Sequence, residues 1–234
     1  VARWLVWGLR KRQHTHRYIH QSFFRALSKT HDAFWLEDEP VSMNAVRSGD
    51  VVIVSGVAQK FIPRMKDVDY VLHNVSPEVH ADLVGLGARV LNLQVWTKAA
   101  RKHSVVEGRP CLRWDASSRT LYQPWGVPWD ANLWHPPARG SGKLLGRRFE
   151  YWIGSVWNNH ELQGNSGAID RWRNVLSRLR VSFVRARRVP DRPISYGFVI
   201  RQSAIGSAIV GEWQADQEYA PCRVFKNLAV GVMP

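Results

Sequence analysis

The chain has 234 residues, 45% of them hydrophobic and 22% charged, globular proportions that exclude a disordered chain, a collagen-like repeat and a coiled coil. No window approaches the roughly 18 unbroken apolar residues of a membrane helix, and two cysteines, Cys111 and Cys222, cannot build a disulfide scaffold or a cysteine-rich zinc site. A net charge of +14, from 33 Lys and Arg against 19 Asp and Glu, attracts phosphates in nucleic acid, nucleotides or an anionic membrane surface.

The basic residues are spread along the chain, at Arg10–Lys11–Arg12, Arg147–Arg148, Arg171–Arg173 and Arg185–Arg187–Arg188. A solvated basic surface therefore competes with a single binding stripe. Twelve tryptophans are an unusual number, and aromatic faces serve in cores, in ring stacking and in sugar clefts.

In chain order, residues 2–8 read as a short buried strand ending at Gly8. A basic loop with His14, His16 and His20 follows, and Ile19, Phe23, Phe24 and Leu27 then fall at helical spacing over 19–29. Further strands are expected at 33–36, at Asp50 to Val54 before Ser55–Gly56, and at 69–73 with Asn74 at the exit. A helix is expected over 77–86 and a strand over 89–93. Strands alternating with helices imply βαβ units and a mostly parallel sheet. Residues 108–147 are rich in Pro and Gly and make poor material for a helix or a central strand. Residues 138–145 read as a connection, which puts a domain boundary near 136–147, between an N-terminal domain over 1–140 and a C-terminal domain over 147–234.

A second alternating series follows: a strand over 149–154, an amphipathic helix over 166–179, a strand over 181–184, a helix over 194–202, a strand over 207–210 and a short helix over 223–230. A doubly wound domain would continue beyond Pro234, so the second domain is expected to be incomplete.

The segment from Gly211 through Gln214 and Tyr219 to Gly231 carries the clearest chemistry. Pro221 suits a helix start. The free amides of that start, with Arg223 and Lys226 in the first turns, would form an anion pocket fit for a diphosphate. The same residues also fit a plain helix with two solvated cations. The three histidines lie between the first strand and the first helix, at the edge where open α/β sheets bind ligands. His16 or His20 there suits a general base, His14 an acceptor contact. The alternatives are a solvated basic loop and a zinc site, the latter without nearby Cys or carboxylate support. His73–Asn74 ends a strand on the same edge and could touch an acceptor or satisfy loop backbone. Trp157–Asn158–Asn159–His160 follows the Gly154 turn and would line a cleft between domains.

Pro221, Arg223, Phe225, Ala229 and Gly231 match a stretch that opens the donor-facing helix of many GT-B nucleotide-sugar glycosyltransferases. The chain resembles that superfamily over about 20 residues of motif, and its organisation resembles the fold over nearly its whole length. Tyr151–Trp–Ile–Gly–Ser155 is similar to the glycine-turn strand opening the C-terminal domain, Ala2 to Gly8 to the N-terminal opening, and Leu121 to Gly126 to the segment ending the N-terminal domain. The sequence departs from the family at Lys226, where an acid usually holds the ribose; lysine accepts no hydrogen bond and would contact phosphate instead.

The resemblance implies two Rossmann-like domains of GT-B type and sugar transfer from a nucleotide diphosphate donor to a hydroxyl acceptor, without metal or other cofactor. It implies donor contacts from Gly154, Ser155, Asn158, Gln214, Tyr219 and Arg223, with Lys226 expected on phosphate; the sheet-edge reading adds a catalytic His16 or His20 and acceptor contacts from His14, His73 and Asn74. Arg223 would stabilise charge on the departing diphosphate. The compartment stays open, with a cytoplasmic or membrane-peripheral protein favoured, an anionic membrane or polyanion as a further partner and nucleic acid as the weaker expectation. The competing classes are a non-catalytic module that holds nucleic acid or another polyanion, and a degenerate transferase kept as a structural subunit. Asp67–Val–Asp69 matches the metal-binding motif of the other main glycosyltransferase fold, but it precedes a strand where that motif follows one.

Overall fold

The computed structural model describes residues 2–11, 17–124, 150–153, 168–178, 182–185, 205–206, 215–218 and 228. The chain divides into two compact units, Val1–Pro124 and Trp125–Pro234. The expected linker at 136–147, the helix over 194–202 and the strand over 207–210 lie outside the described residues, as does the 223–230 helix except for Leu228, which is helical.

The first unit is built on β1 (Trp4–Trp7), α1 (Arg17–Leu27), β2 (Ala33–Leu36), a short α2 (Pro40–Met43), β3 (Val51–Ser55), β4 (Asp69–His73), α3 (Pro77–Gly85), β5 (Arg89–Val95), a 3-10 turn over Lys98–Lys102, β6 (Ser104–Val106), β7 (Arg109–Asp115) and β8 (Thr120–Gln123). Its eight strands lie in the order β2-β1-β3-β4-β5-β8-β7-β6. The run from β2 to β8 is parallel; β7 is antiparallel to β8 and to β6. The chain is thus an α/β protein with a mixed sheet.

The sheet grows outward from β1. β2 is laid on one side and β3 on the other, so the direction of addition reverses between β1 and β3. Right-handed crossovers then send successive helices to opposite faces, and the contacts agree. On one face Leu5, Trp7, Val52, Val54, Tyr70, Leu72 and Val90 pack with Val79 and Leu83 of α3 in a single core. On the other, Phe24 of α1 lies 5.9 Å from the Trp35 ring and Phe23 lies 6.4 Å from His73. β3 is buried at every residue, as a parallel strand covered on both faces requires. α3 starts at Pro77 after Ser76, whose hydroxyl accepts from the Val79 amide.

The expectation that residues 108–147 hold no central strand is overturned for the part described. β8 lies inside the sheet between β5 and β7, and β7 is paired on both sides. Pro110 is accommodated because the β6–β7 register shifts between Val105 and Val106, leaving no ladder partner opposite the proline.

In the second unit β9 (Glu150–Ile153), α4 (Ala168–Arg178), β10 (Ser182–Arg185) and β11 (Ile205–Gly206) are described. The three strands form a parallel sheet in the order β10-β9-β11. The apolar periodicity of α4 buries Leu176 and leaves Val175 exposed.

Candidate functional site

The two edges of the first sheet are built differently. At the amino ends of the strands, charge is spent on structure. Arg3 donates from Nε and Nη2 to both carboxylate oxygens of the buried Asp50, at 2.9 and 2.6 Å. Arg89 grips Asp69 in the same two-pronged way, at 2.7 and 2.6 Å. Asp69 is therefore a strand-start ion-pair partner.

The carboxyl ends carry unusual backbone. β1 runs into Gly8 and Leu9, both left-handed with φ of 101° and 55°. A buried leucine there costs about 1–2 kcal/mol, which the surrounding packing must over-determine. A Cβ at Gly8 would collide with Ala58, and one at Gly56, just past β3, would collide with the Asn74 carbonyl. Glycine lets the turns after β1 and β3 press against neighbouring chain. Asn74, at the exit of β4, is also left-handed, with φ of 52°. Ligands of open α/β sheets bind at this edge, where the strand order reverses; here that point lies between β1 and β3.

His20 belongs to the first turns of α1, and only 2% of it is exposed. Its Nδ1 lies 2.6 Å from the Gly8 carbonyl, which also accepts the Trp35 indole N–H at 2.7 Å. A carbonyl only accepts, so Nδ1 carries the hydrogen, and in the neutral ring the lone pair is on Nε2. His73 ends β4 and is buried against Phe23. Loss of solvation lowers its pKa to about 4, so the ring is neutral near pH 7. The sequence-predicted residues His20, His73 and Asn74 thus share one sheet edge, the two rings on the α1 face and Asn74 exposed in its turn.

Two carboxylates at this edge escaped sequence reasoning. Asp38, just past β2, accepts the Trp7 indole N–H at 2.9 Å and the amides of Phe61 and Lys60 at 2.9 and 3.1 Å. It ties β1 to the loop after β3. Glu37 accepts the Lys11 amide, and Lys11 Nζ reaches Glu39 at 2.9 Å. The available signal was an acidic run immediately after a strand.

His14, His16, Gly154, Ser155, Asn158, Gln214, Tyr219, Arg223 and Lys226 lie outside the described residues. Among the described residues no group of three or more His, Cys, Asp or Glu is placed to hold a metal ion, and no helix is long and apolar enough to cross a membrane. No family model matches the chain, and no curated protein and no solved structure matches it.

Proposed function

We propose that this protein is a nucleotide-sugar glycosyltransferase of GT-B type that moves a sugar from a diphosphate donor to a hydroxyl acceptor. The observation that carries this reading is the convergence of His20, His73 and Asn74 on the carboxyl edge of a parallel sheet, beside the point where strand order reverses. The resemblance of Pro221 to Gly231 to the donor motif supports it from the sequence side. In this reading Arg223 and Lys226 neutralise the departing diphosphate. His20 or His16 takes the acceptor proton; for His20 the proton goes to Nε2, because the Gly8 carbonyl holds the hydrogen on Nδ1. His73, neutral and enclosed, orients the edge, and Asn74 contacts the acceptor.

Calorimetric titration of the full chain with a panel of nucleotides and nucleotide sugars, with release of free sugar followed in parallel, tests the reading. The expected result is binding of one diphosphate family, weakened roughly tenfold or more by Arg223→Ala, since a charged hydrogen bond contributes about 1.5–3 kcal/mol. A panel in which no nucleotide sugar binds and none is hydrolysed overturns it.

A further inference from the structure

Past Val90 of β5 the core face of the first sheet changes character. Asn92 and Gln94 of β5, Thr120 and Tyr122 of β8, and Arg113 and Asp115 of β7 are register partners and so share that face. All but Thr120 are half-buried. The flat groups are already paired. The Arg113 guanidinium lies 5.5 Å from the centre of the Trp96 ring. The His103 and Tyr122 rings stack at 5.2 Å with an interplanar angle of 11°. Arg113 and Tyr122 are opposite each other on adjacent strands, about 5 Å apart, so the two stacks are neighbours.

Two polar atoms of this cluster, Arg113 Nε and His103 Nε2, are buried without a hydrogen-bond partner among the described residues. Such atoms are rare and call for a binding or strain explanation. The rim is basic: the 3-10 turn carries Lys98, Arg101 and Lys102, and β7 opens with Arg109. Asp115, the carboxylate of the patch, is occupied. It accepts the Ser117 amide and hydroxyl at 3.0 and 2.6 Å and the Ser118 hydroxyl at 2.7 Å, and His103 Nε2 stands 3.9 Å away.

Flat π and guanidinium surfaces side by side, carboxamides that both donate and accept, and a cationic rim are the elements that hold unpaired nucleotides. We propose that the β5–β8–β7 face binds single-stranded nucleic acid, with bases on the Tyr122–His103 and Arg113–Trp96 stacks and phosphates on Lys102 and Arg109. The proposal is independent of the transferase reading, which concerns the carboxyl edge near β1 and β3.

Fluorescence anisotropy of a labelled 12-nucleotide poly-uridine strand with the full chain tests it, in low salt and at physiological salt, with heparin as a competitor that has charge but no bases. Tyr122→Ala should weaken binding about tenfold and Tyr122→Phe should not. Arg113→Lys, which keeps the charge and loses the plane, should also weaken it. Arg89→Ala, which removes a cation from the opposite face, should leave it unchanged. Near-UV circular dichroism verifies folding, and if Tyr122→Ala does not fold, Arg113→Lys decides. Absence of binding overturns the proposal. So does binding that Tyr122→Ala and Arg113→Lys leave intact, or that these variants weaken equally for RNA and for heparin.

Discussion

One straight row of side chains crosses six neighbouring strands: Trp7, Val54, Leu72, Asn92, Thr120 and Asp115. The first three are buried to the last ångström, at 0% exposure, and pack with α3 in the core. The last three are polar and bond to one another and to their turn. Asn92 donates to Thr120 at 3.2 Å, Ser118 donates to Asp115 at 2.7 Å, and the Thr120 hydroxyl donates to Ser118 Oγ at 2.7 Å. A single sheet therefore has an apolar half that holds the fold and a polar half that spends its side chains on hydrogen bonds. Along this row the break falls between β4 and β5, while two residues earlier Val90 of β5 still belongs to the apolar core. Backbone pairing is continuous across it, so what divides the sheet is the choice of side chain at one face of the pleat.

The comparison predicts unequal costs for equal truncations. Leu72→Ala removes a fully buried side chain from the core and should cost about 3 kcal/mol, within the 2–5 kcal/mol usual for such cavities. Asn92→Ala, its register partner, should cost about 1–2 kcal/mol, because two half-buried hydrogen bonds, one to Thr120 and one from Gln94, are lost. Urea denaturation of the two variants measures both. Equal losses would mean that the row is not divided.

Acid separates the halves in a second way. His73 in the apolar half has its pKa lowered by burial to about 4, below the ordinary 6.5. The unfolded chain then binds this proton more readily than the folded chain, so stability rises with pH. The contribution is complete above about pH 6.5 and is lost as pH falls toward 4. It amounts to about 3 kcal/mol at most. Asp115 in the polar half is held down to about 2 by hydrogen bonds from Ser117 and Ser118, so its contribution is lost only as pH falls from about 4 to 2. Denaturation at pH 7, 4.5 and 3 resolves the two windows. His73→Leu should flatten the first and leave the second. A wild-type stability that does not change between pH 7 and 4.5 would show that the ring is not held neutral.

The apolar half and β5 were legible in the sequence, and β6, β7 and β8 were not. The strands at 33–36 and 69–73 and the helix from Pro77 follow from short apolar runs closed by punctuating residues: Gly8, Ser55–Gly56, Asn74 and Pro77. Each signal is local. The pairing of β5 with β8 joins segments across an intervening turn and hairpin, and no local period encodes it. Pro110 and the surrounding glycines argued against strands there, and the register shift opposite Pro110 removed that objection only in three dimensions. At the carboxyl edge the same asymmetry holds. His20, His73 and Asn74 stand out by residue type at strand and helix ends. Asp38 offered only its place in the acidic run after β2, because its role is to collect N–H groups from Trp7, Lys60 and Phe61, brought together by the fold.

The smallest effect is expected at Asn74, and it bears on whether the carboxyl edge is structural or functional. Asn74 is exposed and left-handed, with φ of 52°. Asparagine tolerates that region better than other residues with a Cβ, but glycine enters it without penalty. Asn74→Gly relieves the backbone and makes the unfolded chain more flexible, two effects of opposite sign. The net change should lie within about 0.5 kcal/mol, whereas Asn74→Ala should cost about 1 kcal/mol. The Asn74 amide hydrogen bond to the Leu93 carbonyl, at 3.3 Å, is unaffected by either change. If the side chain serves only the turn, Asn74→Gly is silent in every assay. If it contacts an acceptor, the glycine variant keeps its denaturation midpoint and its affinity for the nucleotide while the KM for the acceptor rises, which separates a binding role from a conformational one at a single position.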